Sequence, residues 1–384
     1  MSDPQIMIVA GEASGDLHGA NLVKALKVQA PGVAVCGMGG EAMRAEGVEI
    51  LYDAARMAVV GIVEVLSHFS DIRAAQRALL ARLDEAPPDL LILIDYPGFN
   101  LWLAGKAKRR KIPILYYISP QVWAWHESRV KKIRRLVDRM AVILPFEEDF
   151  YRQRGVAVDF VGHPLLDSVS SRMGRDKFLA RHGIDPDATV LGLLPGSRKK
   201  ELAGLLPDFL KAAELLAARH DNLVFLLPLA PGLDRADLEA HGLAGSPVEV
   251  TVVRGDRYDL MGACDAVLAA SGTVTLELAI LDVPMVAAYR IAPFTYWLGR
   301  RLVKVKYMTL VNLVVDQPVV PELLQDEVTP EALAAAVSPL LFDAEARAVM
   351  RQGFAELRQR LGGPGASARA AGLALSIIDR NDPA

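Results

Sequence analysis

Short apolar runs alternate with helix-length segments along this 384-residue chain, and the pattern occurs twice. The runs are rich in β-branched residues, are too short for typical helices and are bounded by Gly, Pro or Asp, which favours strands. Because strands that alternate with helices form parallel sheets covered on both faces, the sequence predicts an α/β chain of two Rossmann-like domains. We expect these domains to face each other across an interdomain cleft, with ligands beyond the carboxyl ends of the strands. The predicted strands are 5–10, 33–37, 90–95, 114–119, 139–145 and 158–162 in the first set, and 189–197, 223–229, 248–253, 265–271 and 283–289 in the second.

The segment 162–178 separates the two strand sets, and we place the hinge between Pro164 and Gly174. The predicted domains are therefore 1–165 and 166–345. The remaining residues, 346–384, are expected to form C-terminal helices that pack back on the N-terminal domain or on a partner chain. A homodimer through the terminal helix is one such arrangement.

Composition excludes several classes of protein. Hydrophobic residues make up 52% of the chain and charged residues 23%, which is not the composition of a disordered protein. No stretch reaches the roughly 18 uninterrupted apolar residues of a membrane span. The mean hydropathy of +0.24 is nevertheless high, and it leaves either a large apolar core or a protein that touches a bilayer without crossing it.

Charge and cysteine content narrow the classes further. The net charge of −3 argues against a nucleic-acid-binding protein. Cys36, Cys264 and the scattered histidines have no spacing typical of a disulfide framework or a metal site, so we expect no metal. The first residues lack the pattern of a signal peptide, so we expect a cytosolic protein.

The loop after the first strand, residues 10–22, brings together Glu12, Ser14, Asp16 and His18. Its glycines permit tight turns and a close approach of the backbone to a ligand. Two acids in the turn would repel a pyrophosphate, so a hydroxyl-bearing sugar suits this loop better than a dinucleotide. The alternative is a simple glycine turn in which Ser14 or Asp16 caps the following helix.

Two later loops also follow strands. Asp95 stands at the end of an apolar strand, where a carboxylate is well placed for a general base, or it caps the turn that leads to Asn100. Gln121 and Trp123 follow the next strand, and the face of Trp123 could stack on a sugar ring. The basic helix 129–135 could attract phosphate or anionic lipid, although such a charge run is usually a solvated helix face.

In the second half, Ser197 and Arg198 follow a strand and a glycine turn, as in a phosphate-binding loop, but the Walker A pattern is absent. These residues could hold a diphosphate leaving group. The small residues 271–273 (Ser271, Gly272 and Thr273) could cradle it as well. Glu277, one turn into the next helix, could accept hydrogen bonds from ribose hydroxyls or face solvent.

Two apolar segments, 57–66 and 289–315, could belong to the core or could contact a membrane. The second mixes aromatic and aliphatic residues with Arg and Lys. This mixture is typical of segments that lie on an anionic bilayer.

Together these segments resemble the lipid-A-disaccharide synthases, and the resemblance covers nearly the whole chain. No single motif is specific, but their order and spacing together are. The motifs are GEASGDLHGA (11–20), GIVEVL (61–66), IDYPGFN (94–100), ISPQVWAW (118–125), LPFE (144–147), GHPL (162–165), LPGSRKKE (194–201), ASGTVTLE (270–277) and the stretch 289–313.

The resemblance implies an inverting hexosyltransferase of the GT-B type that needs no cofactor and works at the cytoplasmic face of the inner membrane. It implies transfer from UDP-2,3-diacylglucosamine to 2,3-diacylglucosamine 1-phosphate, giving the β-1,6-linked disaccharide 1-phosphate and UDP. Residues 1–165 would hold the acceptor and face the membrane, and 166–345 would bind the UDP-sugar. It also implies that Asp95 and Arg198 are essential. Many members carry an acid where this chain has Gly98, so no role of that acid transfers.

For this reaction we expect Asp95 to take the proton of the acceptor 6-hydroxyl, with Glu12 or His18 as competing bases. Other GT-B enzymes that act on UDP-GlcNAc, namely a 2-epimerase or the transferase of the peptidoglycan lipid intermediate, remain alternatives. A non-catalytic nucleotide-sugar or lipid-binding protein is another. The predicted contacts with UDP are Ser197, Arg198, Ser271, Gly272, Thr273, Glu277 and Asn312, and those with the acceptor sugar or lipid are Ser14, Asp16, Asn100, Gln121 and Trp123.

Overall fold

A computed structural model of the chain describes residues 3–57, 69–125, 127–291 and 306–381. The chain forms two compact units, each with its own sheet. The first unit consists of Met1–Asp167 together with Leu361–Ala384, and the second of Ser168–Arg360. Residues 346–360 therefore belong to the second unit and residues 361–384 to the first.

The first unit contains a seven-stranded parallel sheet with the strand order β3-β2-β1-β4-β5-β6-β7. Its strands are β1 (Gln5–Ala10), β2 (Ala34–Gly39), β3 (Glu49–Asp53), β4 (Leu90–Ile94), β5 (Ile114–Tyr117), β6 (Arg139–Val142) and β7 (Val158–Phe160). Its helices are α1 (Ala13–Gln29), α2 (Glu41–Ala45), α3 (Phe69–Glu85), α4 (Pro97–Arg109), α5 (Val122–Trp125), α6 (Arg129–Leu136) and α7 (Pro145–Arg152), with α8 (Leu165–Ser168) at its end.

Burial on both faces of the sheet explains why β1 is apolar from Ile6 to Ala10. Met7 and Val9 pack into the core on one face of the sheet, and Ile6 and Ile8 pack into the core on the other. A strand buried on both faces has no polar alternation, which is the pattern of a parallel sheet covered by helices.

The second unit contains a six-stranded parallel sheet with the order β10-β9-β8-β11-β12-β13. Its strands are β8 (Thr189–Leu194), β9 (Leu223–Leu229), β10 (Val250–Arg254), β11 (Ala266–Ala270), β12 (Met285–Tyr289) and β13 (Glu322–Leu324). Its helices are α9 (Arg175–Arg181), α10 (Lys199–Ala217), α11 (Arg235–Ala240), α12 (Arg257–Ala263), α13 (Thr273–Ile280), α14 (Leu310–Val315), α15 (Pro330–Phe342) and α16 (Ala344–Arg360). Single 3-10 turns lie at Ala54–Met57, Leu243–Gly245 and Gln325–Glu327.

The last helix, α17 (Ala366–Asn381), returns to the first unit. Ala370, Ala371 and Ala374 lie in the same core as Leu22 and Leu26 of α1. Small side chains on α17 therefore let it pack closely on the sheet-covering helix α1.

The prediction of two parallel α/β domains is confirmed. The short strands β3 and β13 were not predicted, and residues 292–305 of the predicted segment 289–315 lie outside the described residues. Within the described ranges, no helix combines the length and the apolar character needed to cross a membrane.

Candidate active site

In each sheet the strand order reverses beside the first strand, between β1 and β4 in one unit and between β8 and β11 in the other. In open parallel sheets, ligands bind beyond the carboxyl ends of the strands at this switch point. The loops that follow these four strands, together with the first two turns of the helices after them, carry most of the predicted site residues.

In the first unit, the loops after β1 and β4 touch. A Cβ atom on Gly11 would lie 2.4 Å from the ring of Tyr96, so only glycine fits here. The residues that follow each position, Glu12 and Pro97, begin the turns into α1 and α4. This contact brings Glu12 into the electrostatic environment of Asp95.

Asp95 and Tyr96 both have left-handed backbone conformations, with φ of 42° and 45°. Such conformations are unfavourable for residues other than glycine and persist where the surroundings fix them. The amide of Asn100 donates to the carbonyl oxygens of Ile94 at 3.0 Å and Asp95 at 2.7 Å, and the hydroxyl of Tyr116 also donates to the Asp95 carbonyl. Asn100 is completely buried inside this turn, and its predicted contact with an acceptor stays a prediction.

The carboxyl group of Asp95 is partly desolvated, although the residue as a whole remains exposed. This desolvation, together with the negative charge of Glu12, raises the pKa of Asp95 to about 6, and the N–H of Tyr96 opposes the shift. Asp95 is therefore mostly ionised at neutral pH yet more basic than an ordinary aspartate. A carboxylate with this pKa is suited to accept a proton.

Asp16 makes three hydrogen bonds to the backbone around the start of α2. Its carboxylate accepts hydrogen bonds from the backbone N–H groups of Gly40 at 2.7 Å, Ala42 at 2.9 Å and Met43 at 3.1 Å. Asp16 is buried and caps the N-terminus of α2, so its carboxylate stabilises the contact between α1 and α2. Ser14 of the same loop is exposed.

His18 is half-buried, and desolvation of its imidazole lowers its pKa to about 4. Among the described residues its Nδ1 atom has no hydrogen-bond partner. His163 is buried, and desolvation followed by repulsion from His18 lowers its pKa to about 3. Both imidazoles are therefore neutral at physiological pH.

Trp123 is half-buried, and Gln121 beside it is exposed. The indole N–H of Trp123 donates to Glu147 Oε1 at 3.0 Å, while Glu147 Oε2 accepts from the N–H of Leu144 at 3.1 Å. Burial raises the pKa of Glu147 to about 7, against the opposing effect of these hydrogen bonds. Sequence reasoning missed Glu147, although its place three residues after the helix-capping position of α7 is a local signal.

In the second unit, a cavity of about 450 Å³ lies at the carboxyl ends of the strands and brings together most of the predicted nucleotide contacts. Ser197, Arg198, Ser271, Gly272, Thr273 and Glu277 all line it. Residues 228–231 and 255–257 also line this cavity, and they were not among the predicted contacts.

The turn before α10 is closed by Glu201. Its Oε2 accepts from the backbone N–H groups of Ser197 at 3.0 Å and Arg198 at 3.3 Å. Gly196 has φ of 116°, and a Cβ atom there would lie 2.4 Å from the Glu201 carboxylate. Glu201 therefore occupies both of these amides. The Arg198 side chain is 70% exposed, and its Nη1 atom lies 3.4 Å from Glu201 Oε1 in an ion pair.

Glu277 is buried in the wall of the cavity, which excludes the solvent-facing alternative. Its Oε1 atom accepts from Arg257 Nη2 at 2.8 Å and from the Tyr258 hydroxyl at 3.2 Å. Burial raises the pKa of Glu277, and the positive charge of Arg257 opposes the shift.

Asn312 lies away from this cavity. Its Oδ1 accepts from the N–H of Val320 at 2.8 Å, and its Nδ2 donates to the Val320 carbonyl at 2.8 Å and to Glu322 at 2.9 Å. It is buried on the wall of a separate cavity of about 1030 Å³. The structure therefore does not bring Asn312 to the other predicted nucleotide contacts.

Among the described residues, no group of three or more acidic, His or Cys side chains could bind a metal ion.

Solved structures with the same fold are glycosyltransferases and epimerases of the GT-B class. The UDP-GlcNAc 2-epimerase from Neisseria meningitidis bound to UDP-GlcNAc aligns with a TM-score of 0.67 and 14% identity over 97% of this chain and 100% of that chain. The calicheamicin glycosyltransferase CalG4 aligns with a TM-score of 0.63 and 17% identity over 100% of both chains. At these identities the likeness shows the GT-B fold alone.

Sequence relatives show the family. The family model for lipid-A-disaccharide synthetase matches residues 6–376. The lipid-A-disaccharide synthase of Geobacter metallireducens is 51% identical over 376 residues, 98% of both chains, and that of Syntrophus aciditrophicus is 46% identical over 382 residues, 100% of both chains. The chain belongs to the lipid-A-disaccharide synthase family and is a glycosyltransferase of lipid A biosynthesis.

Proposed function

We propose that the chain transfers 2,3-diacylglucosamine from its UDP conjugate to the 6-hydroxyl of 2,3-diacylglucosamine 1-phosphate. The products are the β-1,6-linked disaccharide 1-phosphate and UDP. Family membership supports the reaction. The observation that carries the mechanism is the carboxylate of Asp95, fixed at a strand end and given a pKa of about 6.

Asp95 acts as the general base. It accepts the proton of the acceptor 6-hydroxyl while the oxygen attacks the anomeric carbon on the face opposite UDP. The bond to UDP breaks with its electron pair on the departing diphosphate, so the configuration inverts without a covalent enzyme intermediate. Glu12 then has a tuning role, because its negative charge helps to keep the pKa of Asp95 high. The buried, partnerless Nδ1 of His18 makes it a weaker candidate for the base.

The cavity in the second unit binds the UDP part of the donor. The guanidinium of Arg198 pairs with the diphosphate, and the hydroxyls of Ser197, Ser271 and Thr273 donate to its oxygens. The first amides of α13, which begins after Gly272, add partial positive charge. These donors stabilise the charge that gathers on UDP as it leaves. Glu277 accepts hydrogen bonds from the ribose.

Replacement Asp95→Asn tests the base. We expect release of UDP in the presence of both acylated sugars to fall by about 10²- to 10⁴-fold, the range for loss of general base catalysis. The affinity for UDP, measured by calorimetry, should not change, because the cavity contacts all lie in the second unit. Asp89→Asn, just before the same strand, is the matched control and should keep wild-type turnover.

Wild-type turnover by Asp95→Asn would remove Asp95 as the base. If the wild-type protein releases no UDP when both acylated sugars are present, the proposed reaction is wrong. A 2-epimerase would instead convert a single UDP-sugar without any acceptor.

We also propose that the enzyme works as a peripheral protein on an anionic membrane surface. On α6, Val130, Ile133 and Leu136 are buried, and the opposite face is exposed and basic. The exposed basic residues are Lys131, Lys132, Arg134 and Arg135. Of the two apolar segments predicted to contact lipid, residues 58–66 and 292–305 lie outside the described residues. The predicted homodimer stays a prediction.

Sedimentation with lipid vesicles tests this membrane contact. We expect the protein to bind vesicles that contain anionic lipid and to dissociate as salt is raised, because exposed charges are screened over about 8–10 Å at physiological ionic strength. Replacing Lys131 and Lys132 by Gln should weaken the binding. Equal binding to purely zwitterionic vesicles would contradict a role for the basic face.

A further inference from the structure

The two carboxylate oxygens of Glu277 have different surroundings. Oε1 accepts hydrogen bonds from Arg257 and Tyr258, while Oε2 has no hydrogen-bond partner among the described residues. The Glu277 side chain is only 7% exposed, and the cavity that it lines also includes Arg257 in its wall. The carboxylate is thus anchored through one oxygen and leaves the other available at the cavity.

The anchor is itself held in place. Arg257 Nη2 lies 2.6 Å from the Tyr258 hydroxyl, and the guanidinium carbon lies 4.6 Å from the centre of the Tyr258 ring. Each of the three side chains therefore contacts the other two. A charge-assisted pair of this kind restricts a flexible glutamate to one orientation.

We propose that Arg257 and Tyr258 are positioning residues that orient Glu277 so that its free oxygen recognises the ribose diol of the nucleotide. This inference rests on the proposed role of the cavity in binding UDP. A carboxylate oxygen has two lone-pair sites and can accept from two neighbouring hydroxyls. Without the anchor, Glu277 would rotate among several conformers, and its carboxylate would lose its compensating charge.

The test compares UDP with 2′-deoxy-UDP, which lacks one of the two hydroxyls. By calorimetry on the full chain, we expect the wild-type protein to bind UDP about tenfold more tightly, as for a hydrogen bond to a charged group. Arg257→Ala should bring this preference close to one, while its affinity for 2′-deoxy-UDP changes by less than about threefold. In Arg257→Lys and in Tyr258→Phe, the preference for UDP over 2′-deoxy-UDP should lie between that of Arg257→Ala and that of the wild-type protein.

Two controls separate positioning from other roles. Arg254 is exposed and lies just before residues 255–257 of the cavity wall in the sequence. Arg254→Ala removes the same charge as Arg257→Ala, and it should leave the preference for UDP over 2′-deoxy-UDP unchanged. Adding Arg257→Ala to Glu277→Ala should cause no further loss of preference, because the two residues act through one contact.

Several outcomes would overturn the proposal. If Arg257→Ala weakens both ligands equally, Arg257 binds the diphosphate or the base directly. If the wild-type protein binds UDP and 2′-deoxy-UDP equally well, Glu277 does not recognise the diol. In either of these two outcomes the wild-type protein still binds UDP, so the proposed nucleotide cavity stands. Failure of the wild-type protein to bind either ligand would instead reject the proposed nucleotide cavity. If Arg257→Ala does not fold, Arg257→Lys and Tyr258→Phe still decide the question through the same ratio.

Discussion

At the scale of single residues, the proposed base depends on the side chains that surround it. Asp95 needs a left-handed backbone, and Asn100 and Tyr116 hold that backbone through the carbonyl of Asp95. Glu12 and local desolvation then set its pKa. The chemistry assigned to one carboxylate is therefore distributed over a small group of side chains.

Glu147 gives a residue-scale prediction about stability. Burial raises its pKa from 4.5 to about 7, so the folded protein binds more protons than the unfolded chain between these values. The contribution of Glu147 to stability is therefore present below about pH 4.5 and is lost as the pH rises toward 7. The side chain introduced by Glu147→Gln does not titrate. The free energy by which wild type is more stable to unfolding than this variant should therefore fall between pH 5 and pH 8, by on the order of 2–3 kcal/mol.

Denaturant unfolding at the two pH values measures this difference. The neighbouring Glu148→Gln is the control, because it removes the same charge from a half-buried residue of α7 that forms an i,i+4 pair with Arg152. Identical pH dependence in wild type and Glu147→Gln would contradict the assigned ionisation.

At the scale of elements, the buried strands were predictable because a strand covered on both faces is apolar at every position. The strands β3 and β13 were not predicted. Burial is only partial along most of β3 and all of β13, so neither gives a continuous apolar run. The switch-point loops were also predictable, since polar residues directly follow the apolar runs.

Helix capping marks the limit of what the sequence could show. Glu201 and Glu147 each stand at the third residue of a helix, a local pattern that sequence reasoning could have used. Asp16 caps α2 from 24 residues away, and no local pattern predicts that contact. Likewise, the anchor of Glu277 on Arg257 and Asn312's place outside the nucleotide cavity depend on contacts between separate elements.

At the scale of the whole molecule, the nucleotide cavity and the packing of the last helix belong to different units. The described walls of the nucleotide cavity all belong to the second unit, whereas the last helix, α17, completes the core of the first. A defect in α17 should therefore affect the stability of the first unit more than the binding of UDP.

Ala371→Glu tests this division. Ala371 is completely buried in the core shared by α17 and α1, so a charged side chain there should destabilise the first unit by several kcal/mol. Ala368→Glu places the same charge on an exposed position of the same helix and should unfold like wild type. We expect Ala371→Glu to unfold at lower denaturant concentration while its affinity for UDP under native conditions stays within about threefold of wild type. If UDP binding is lost together with the packing of α17, the second unit does not hold its nucleotide cavity independently of the first.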